Sequence, residues 1–478
     1  MSEQIQRIIP GSFEAERHWY AKALNATIHP LVHYFLHLPT DLIINRYCHL
    51  HPKVNKNKLT QILKNQTSYF KWGGADLINV TTEGGKKQMV VIENNSCPSG
   101  QKSMPLLMDN VEEGSYIRLI EESFLPMISK RGKVKNAVVA VLYDKNYMET
   151  SGYAEVLANC LDEDVFLVPF YDGEWDQHAR FNDGILEILI DGKWEKVRAA
   201  FRYVTQRPWN RIPVLTKTRI FNPVLACLAG GRNKMVAAKA YDMYNAQLRD
   251  SGLVINIPET IWDVSLHEVP LWIKRLGGHA VVKNPYSNAG QGVYTIMNDA
   301  ELKDFMENAH NYDRFIVQSL IGNYEWSSLS SKGKLYHVGT MPNAKGLSFV
   351  ADLRMMVCST REGIRPLCVY ARRARKPLMD KPTDEVSSWD MLGTNLSIRN
   401  EDGSWDSDSK RLLLMDRRDF NKLGIGVDDL IEAFIQTVLS MTSIDNMCKT
   451  LVNSKGKFRQ RLFKSLNDDD ALIHEIVV

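Results

Sequence analysis

The stretch "MVVIENNSCPSGQKSMP", residues 89–105, carries the reading of the fold. An apolar run ends in Glu93, Asn94 and Asn95, and a loop rich in Ser, Gly and Pro follows. Side chains alternate along a strand, so Glu93 and Asn95 project to one face. Two oxygen donors on one face suit a hard cation such as Mg2+. Working upstream, "GADLINVTTEGGKKQMVVIENN" reads as strand, Gly-containing turn, strand, with "TTEGGKK" folding the two strands into a hairpin. Asp76 falls on or just before the first strand, and Glu93 and Asn95 end the second.

The chain around this hairpin is long, at 478 residues, which favours two or three domains. Its 44% hydrophobic and 24% charged content is that of a globular protein. A net charge of +3 gives no strong field, so neither nucleic acid nor an acidic membrane is expected as a partner. The N-terminal "MSEQIQRIIPGSFEAERHWY" lacks a signal-like apolar core, and no apolar run reaches spanning length. Cys48, Cys97, Cys160, Cys227, Cys358, Cys368 and Cys448 are scattered and odd in number. That pattern suits reduced thiols, and a cytoplasmic location is expected.

Residues 1–65 read as mostly helical, broken at Pro30 and Pro39. Residues 110–130 suggest another helix. "VKNAVVAVLYD" (134–144) is a buried strand, "SGYAEVLANCLDE" a helix and "DVFLVPFYD" a second strand, so this part carries a βαβ signature. A small α/β domain is expected at 132–215, between segments 1–131 and 216–478. "NPVLACLAGGRNKMVAAKAYDMYNAQL" is helical with a Gly-Gly interruption. Residues 380–410 are polar, and most of the segment reads as a mobile loop. "GVDDLIEAFIQTVLSM" is an amphipathic helix, with Val427, Leu430, Ile431, Phe434, Val438 and Met441 on one broad face.

"GGHAVVKNPYSNAGQGVYTI" (277–296) is the strongest local feature. A strand carrying Lys283 enters a loop with Gly290 and Gly292, and the strand "VYTI" follows. Glycines let backbone N–H groups approach phosphate oxygens, and the lysine adds positive charge. The chain has no GxxxxGK[ST], and a strand rather than a helix follows the glycines, which excludes the P-loop and Rossmann fingerprints. Further on come the strand "RFIVQSLIG", with Gln318 near its end, then "FVADLRMMVCS", with Asp352 and Arg354 on one face. "PLCVYARRARKPL" ends in Arg372, Arg373 and Arg375, and "GTNLSI" (393–398) follows.

This ordered set resembles the ATP-grasp superfamily, in the manner of glutathione synthetase. The resemblance implies ATP held between two α+β subdomains, a carboxylate phosphorylated, and an amine attacking the acyl phosphate. It implies an E-x-N metal motif, which most members place after the elements "DLR" and "NL". Residues 400–478 contain none, and Glu93-Asn94-Asn95 is the convincing match. The resemblance therefore implies a circularly permuted ATP-grasp fold, as in eukaryotic-type glutathione synthetase, with a small Rossmann-like α/β domain and helical terminal segments.

On the same basis Asp76, Glu93 and Asn95 would hold Mg2+, while Lys234, Lys283, Gly290, Gly292 and Gln318 would hold ATP. Arg354 and Arg372 would hold the carboxylate and acyl phosphate, with Asn395 near the phosphate. Where the relative's Gly loop carries a metal-binding Glu, "NPYSNAGQG" has no acid and offers Asn288 instead. The expected activity is a carboxylate–amine ligase making a peptide or amide bond on amino acids or short peptides, with a homodimer allowed. A small-molecule kinase and a non-catalytic nucleotide-binding module are the alternatives. The loop "SCPSGQKS" would bind donor or acceptor, with Cys97 a bystander. His29, His33 and His37 are spaced for a helix face, but no HExxH completes them, so packed or solvated histidines are expected.

Overall fold

The structure, a computed structural model, describes residues 4–108, 110–128, 137–205, 209–287, 292–381, 383, 386–399 and 405–476. Gly290 and Asn288 therefore lie outside the described residues.

The hairpin forms as the turn chemistry requires. Strands Trp72–Thr82 and Lys87–Asn95 pair antiparallel, with Asp76 opposite Glu93. The register shifts beside that pair, so Ile92 is the extra residue of a bulge. The hairpin does not stand alone. Trp72–Thr82 pairs with Ala351–Thr360, which pairs with Gly363–Arg373, and Leu412–Leu413 follows at the edge. Leu335–His337 extends the same sheet along Thr82 to Val80. Asp76 thus faces Arg354 across the strands.

One face of this sheet rests on helix Val427–Thr450, whose burial is nearly complete on all sides. An amphipathic helix ending near Met441 was expected; the observed helix continues to Thr450. Its small hydroxyls explain how polar residues sit in the core. Thr437, Ser440 and Ser443 each donate to a carbonyl one turn earlier in the same helix, so no partner outside it is needed. Asp445, also buried, accepts from the backbone amides of Ser68, Tyr69 and Phe70 and so fixes the approach to the hairpin.

A second, four-stranded antiparallel sheet runs Thr260–Ser265, Arg314–Ser319, Ala280–Lys283, Val293–Ile296. It has a small core of its own. Ala280, Val282, Ile296, Phe315 and Val317 pack with Val269 and Ile273 of helix Val269–Arg275 and Phe305 of helix Asp299–Glu307. Strand alternation then sends Val281 and Lys283 to the opposite face.

The third sheet has a parallel centre. Val138–Tyr143 lies parallel to Val165–Pro169 on one side and to Lys193–Tyr203 on the other. Helix Tyr147–Leu161 links the first two, so the βαβ unit is present. Ile185–Ile190 and Ala179–Asn182 continue the sheet as a meander. Two strands from outside 132–215 also join it: Gln6–Ile8 antiparallel to Val165–Pro169, and Arg219–Phe221 parallel to Lys193–Tyr203. A three-residue edge strand such as "QRI" has no periodicity to read, so it falls within the segment expected to be mostly helical.

The described part of 380–410 corrects the loop expectation. Ser388–Leu392 is a helix, capped by the Ser387 side chain, and Ser397–Arg399 pairs with Trp405–Ser407. Ser388 Oγ donates to Glu301 at 2.6 Å, tying this segment to the four-stranded sheet unit. Among the described residues no helix is long and apolar enough to cross a membrane.

Candidate active site

The sheet face opposite helix Val427–Thr450 is the floor of a cavity of about 960 Å3. Every floor residue follows from strand alternation: Asp76 and Ile78, Glu93 and Asn95, Asp352 and Arg354, Tyr370 and Arg372. Asn94 points the other way and donates to Tyr241 Oη at 2.8 Å. The volume is at the upper end of the roughly 300–1,000 Å3 usual for ligand sites, enough for a nucleotide with a second small molecule.

The floor is built on paired charges. Arg354 meets Asp76 with both arms of its fork, Nε to Oδ1 at 2.6 Å and Nη2 to Oδ2 at 2.7 Å. Arg372 Nη2 is 2.9 Å from Asp76 Oδ2. Arg372 also engages Asp352, with Nε 3.0 Å from Oδ1. Thr394 Oγ1 donates to Asp352 Oδ2 at 2.9 Å. Burial alone would raise the Asp76 carboxyl. The Arg354 and Arg372 guanidiniums overcome it and hold the group well below the usual carboxylate range.

The four-stranded sheet supplies the facing wall through Val281, Lys283, Val293, Thr295 and Gln318. Lys283 Nζ lies 3.4 Å from the carbonyl of Ile92, the bulge residue next to Glu93. Burial pushes the Lys283 ammonium down to about 8, against the pull of Glu93. Lys234, first residue of helix Lys234–Leu248, donates to the Ser287 carbonyl at 3.0 Å and lies 3.7 Å from Glu93 Oε2. Burial lowers its pKa also. Gly292 has φ +66°, and a Cβ there would come within 2.4 Å of Asn284 Nδ2, so the loop can close against Asn284 only with glycine. Gln318 lines the cavity with its amide donating to Thr260 Oγ1 at 2.8 Å. Asn395 lines it from the segment after the Ser388 helix, and its carbonyl accepts from Arg411.

The third wall comes from the loop after Asn95 and from the parallel sheet. Glu149 accepts from the amides of Gly100 at 2.6 Å and Gln101 at 2.7 Å, and from Tyr203 Oη at 2.6 Å. This buried carboxylate fixes the loop to the helix that follows Tyr143. Lys102, Lys145 and Arg232 line this end. Burial brings Lys145 down to about 8, with Arg232 adding to the effect. Lys145 escaped the sequence reading because a lysine after an apolar strand looks like ordinary solvated punctuation. Its place at the C-terminal end of a parallel strand, where ligands of open α/β sheets bind, was the available signal.

The nine expected site residues that are described and line the cavity or its edge are Asp76, Glu93, Asn95, Lys283, Gly292, Gln318, Arg354, Arg372 and Asn395. Lys234 borders a smaller adjoining pocket with Glu93 and Lys283. Arg373 and Arg375 do not line the cavity; Arg375 pairs with Asp390 at 3.6 Å. Cys97 is buried and pushed up to about 12 by that burial, against the pull of Arg202, so it is no nucleophile at neutral pH.

The residues fit a nucleotide. Buried Lys283 and partly buried Lys234 lie near one carboxylate, and the buried polar atoms Asn284 Oδ1, Tyr286 Oη and His337 Nδ1 have no hydrogen-bond partner among the described residues, though all three side chains line the cavity. Glu93 and Asn95 present oxygen donors of the kind that would suit a hard cation. Among the described residues no group of three His, Cys, Asp or Glu is placed to hold a metal by itself. That includes the N-terminal histidines: His29 caps helix Pro30–Leu36 through its ring nitrogen, and the His33 and His37 rings lie 4.3 Å apart.

No protein-family model and no curated protein matches this sequence. Solved structures similar to the chain include a glutathione synthetase-like effector from Globodera pallida, at 11% identity and TM-score 0.40, covering 73% of this chain and 86% of the effector. A RimK-domain ATP-grasp protein from Sphaerobacter thermophilus has 14% identity and TM-score 0.29, covering 62% and 99%. The D-alanyl-alanine synthetase A of Vibrio cholerae has 13% identity and TM-score 0.29, covering 49% and 89%.

Proposed function

We propose that the chain is an ATP-dependent carboxylate–amine ligase that forms an amide or peptide bond through an acyl phosphate, releasing ADP and phosphate. One observation carries the reading. Lys234, from the adjoining pocket, lies 3.7 Å from Glu93, and Lys283, from the wall, lies 3.4 Å from the neighbouring Ile92 carbonyl, at the end of a floor strand that also presents Asn95, while Arg354 and Arg372 stand on the same floor. Phosphate-binding cations, hard-cation donors and carboxylate-binding guanidiniums share one cavity, which is what phosphorylation of a carboxylate requires.

Lys283, Lys234 and the amides around Gly292 would hold the triphosphate. Glu93 and Asn95 would hold Mg2+, which supplies neutralisation of phosphate charge when bound. Arg354 and Arg372 would hold the substrate carboxylate on the floor of the same cavity. Lys102 and Lys145, beside Ser99 and Ser103, favour a second anionic group on the donor, as on an amino acid or a short peptide. In this reading the hairpin Trp72–Asn95 is the metal-bearing end of a circularly permuted ATP-grasp core. Its pairing with Ala351–Thr360 supports that. The parallel sheet centred on 138–203 is the substrate-binding unit, and the setting is cytoplasmic.

Incubating the protein with MgATP, hydroxylamine and amino acids or dipeptides in turn tests the reading. A hydroxamate formed only with ATP and one class of carboxylate is the expected result. A stable phosphorylated product that persists when amines are added would make the protein a kinase. Absence of any ATP turnover across the panel would leave the ligase reading without support.

A further inference from the structure

Asp76 was expected to be a cation ligand, and its surroundings are those of a different residue. Oδ1 accepts from Arg354 Nε and Oδ2 from Arg354 Nη2, and Oδ2 also faces Arg372 Nη2. Arg372 is in turn bidentate to Asp352, which accepts from Thr394. The order across the floor is Arg354, Asp76, Arg372, Asp352, Thr394, with charges alternating. The four ionic side chains are between 6% and 10% exposed. A cation approaching Asp76 would meet two guanidiniums within hydrogen-bond distance of the same carboxylate. Glu93, by contrast, is 30% exposed, and its ion-pair contact among the described residues is Lys234 at 3.7 Å.

We propose that Asp76 is a positioning residue that holds Arg354 and Arg372 in fixed orientation and is not itself a donor to the cation. The statement about the cation rests on the nucleotide reading above. The consequence for the site is geometric. Asp76 and Asp352 occupy the Nε and Nη2 arms of both guanidiniums, so each arginine keeps its Nη1 amino group outside these pairs. Two rotamer-rich side chains are thereby fixed before substrate arrives, which lowers the ordering cost of binding an anion. The carboxylates also cancel the arginines' formal charge, so the arginines orient the substrate and the lysines supply the excess positive charge.

The first test uses the wild-type protein. The arginine Nε–H signals are followed by NMR during titration with Mg2+ and ADP. A positioning role predicts that Arg354 Nε–H stays protected from solvent exchange at saturation; loss of that protection as the cation binds would overturn the proposal. The second test measures Mn2+ affinity in the presence of ADP. Asp76→Asn should leave it within about twofold, and Glu93→Gln should weaken it at least tenfold; equal weakening by both would refute the assignment. The third test needs neither metal nor nucleotide. Asp76→Asn and Arg354→Met should each lower the melting temperature, and the double variant should lose less than the two shifts combined, because it leaves one fewer buried charge unpaired. Additive shifts would refute the pairing. Wild-type protein that fails to bind ADP with Mn2+ would overturn the nucleotide reading and the cation half of this proposal, while the metal-free comparison would still decide the positioning half.

Discussion

Replacing Lys283 by methionine should stabilise the empty protein and cripple it as a nucleotide binder. The lysine is 5% exposed, and it donates a long hydrogen bond, 3.4 Å, to the Ile92 carbonyl. Burial moves its pKa from 10.5 to about 8. That displacement corresponds to about 3 kcal/mol by which the folded cleft disfavours the charged form. Methionine fills similar volume without the charge. In the unfolded chain the lysine keeps its proton until about pH 10.5, whereas in the cleft it releases it near pH 8. Below pH 8 both states are charged and the folded state bears the whole penalty. Between those values the unfolded state holds more protons, so wild-type stability rises with pH and the advantage of methionine shrinks. Thermal unfolding without nucleotide should therefore show Lys283→Met several degrees above wild type at pH 7 and close to it above pH 10. Calorimetry with ATP should show the opposite sign: losing a charge-assisted contact worth about 1.5–3 kcal/mol weakens binding roughly 10- to 150-fold. A variant that melts lower than wild type at pH 7, or that binds ATP unchanged, would refute the reasoning.

Three further outcomes follow from the same cavity. Gly292→Ala, forced into positive φ with its Cβ against Asn284, should cost about 1–2 kcal/mol locally and reduce ATP affinity about tenfold, measured by calorimetry. Glu149→Ala leaves the amides of Gly100 and Gln101 without their acceptor, so hydrogen exchange at these two positions should accelerate by at least tenfold while the floor strands stay protected. Lys145 faces Arg232, Lys102, Asp144 and Cys97 and releases its proton near pH 8, so affinity for an anionic donor should fall as pH rises from 7 to 9. Lys145→Arg, which stays charged, should remove that pH dependence.

The parts legible in the sequence were those with strong local chemistry. The hairpin was marked by its Gly-Gly turn, and the Lys283 strand by the glycine that the Asn284 contact demands. The alternation that places Glu93, Asn95 and Arg354 on one face is a property of strands and needs no tertiary knowledge. The ion pairs were not legible. Whether Asp76 serves a metal or an arginine depends on a strand 278 residues away, and either partner would select a carboxylate. The short strand Gln6–Ile8 was missed because it has no local pattern and is defined by what it packs against; Lys145 was missed because its signal is its place just after a parallel strand, not the residues beside it. The segment around Ser388 was misread because polar composition argues for a loop, and the Glu301 contact that anchors it is long-range.

The pairing of Trp72–Thr82 with Ala351–Thr360 also sets a timetable for synthesis. At about 5–20 residues per second, roughly 15–55 s separate the emergence of Asp76 from that of Arg354. Throughout that interval the nascent hairpin has a bare edge, with the backbone groups that will bond the later strand still open to other chains. Its helical support, Val427–Thr450, leaves the ribosome later still. Contacts this distant fold slowly, because loop closure precedes any gain from pairing. Ribosomal products that stop before residue 350 would lack half the floor and carry an exposed sticky strand, making them substrates for chaperones and proteases rather than weak enzymes.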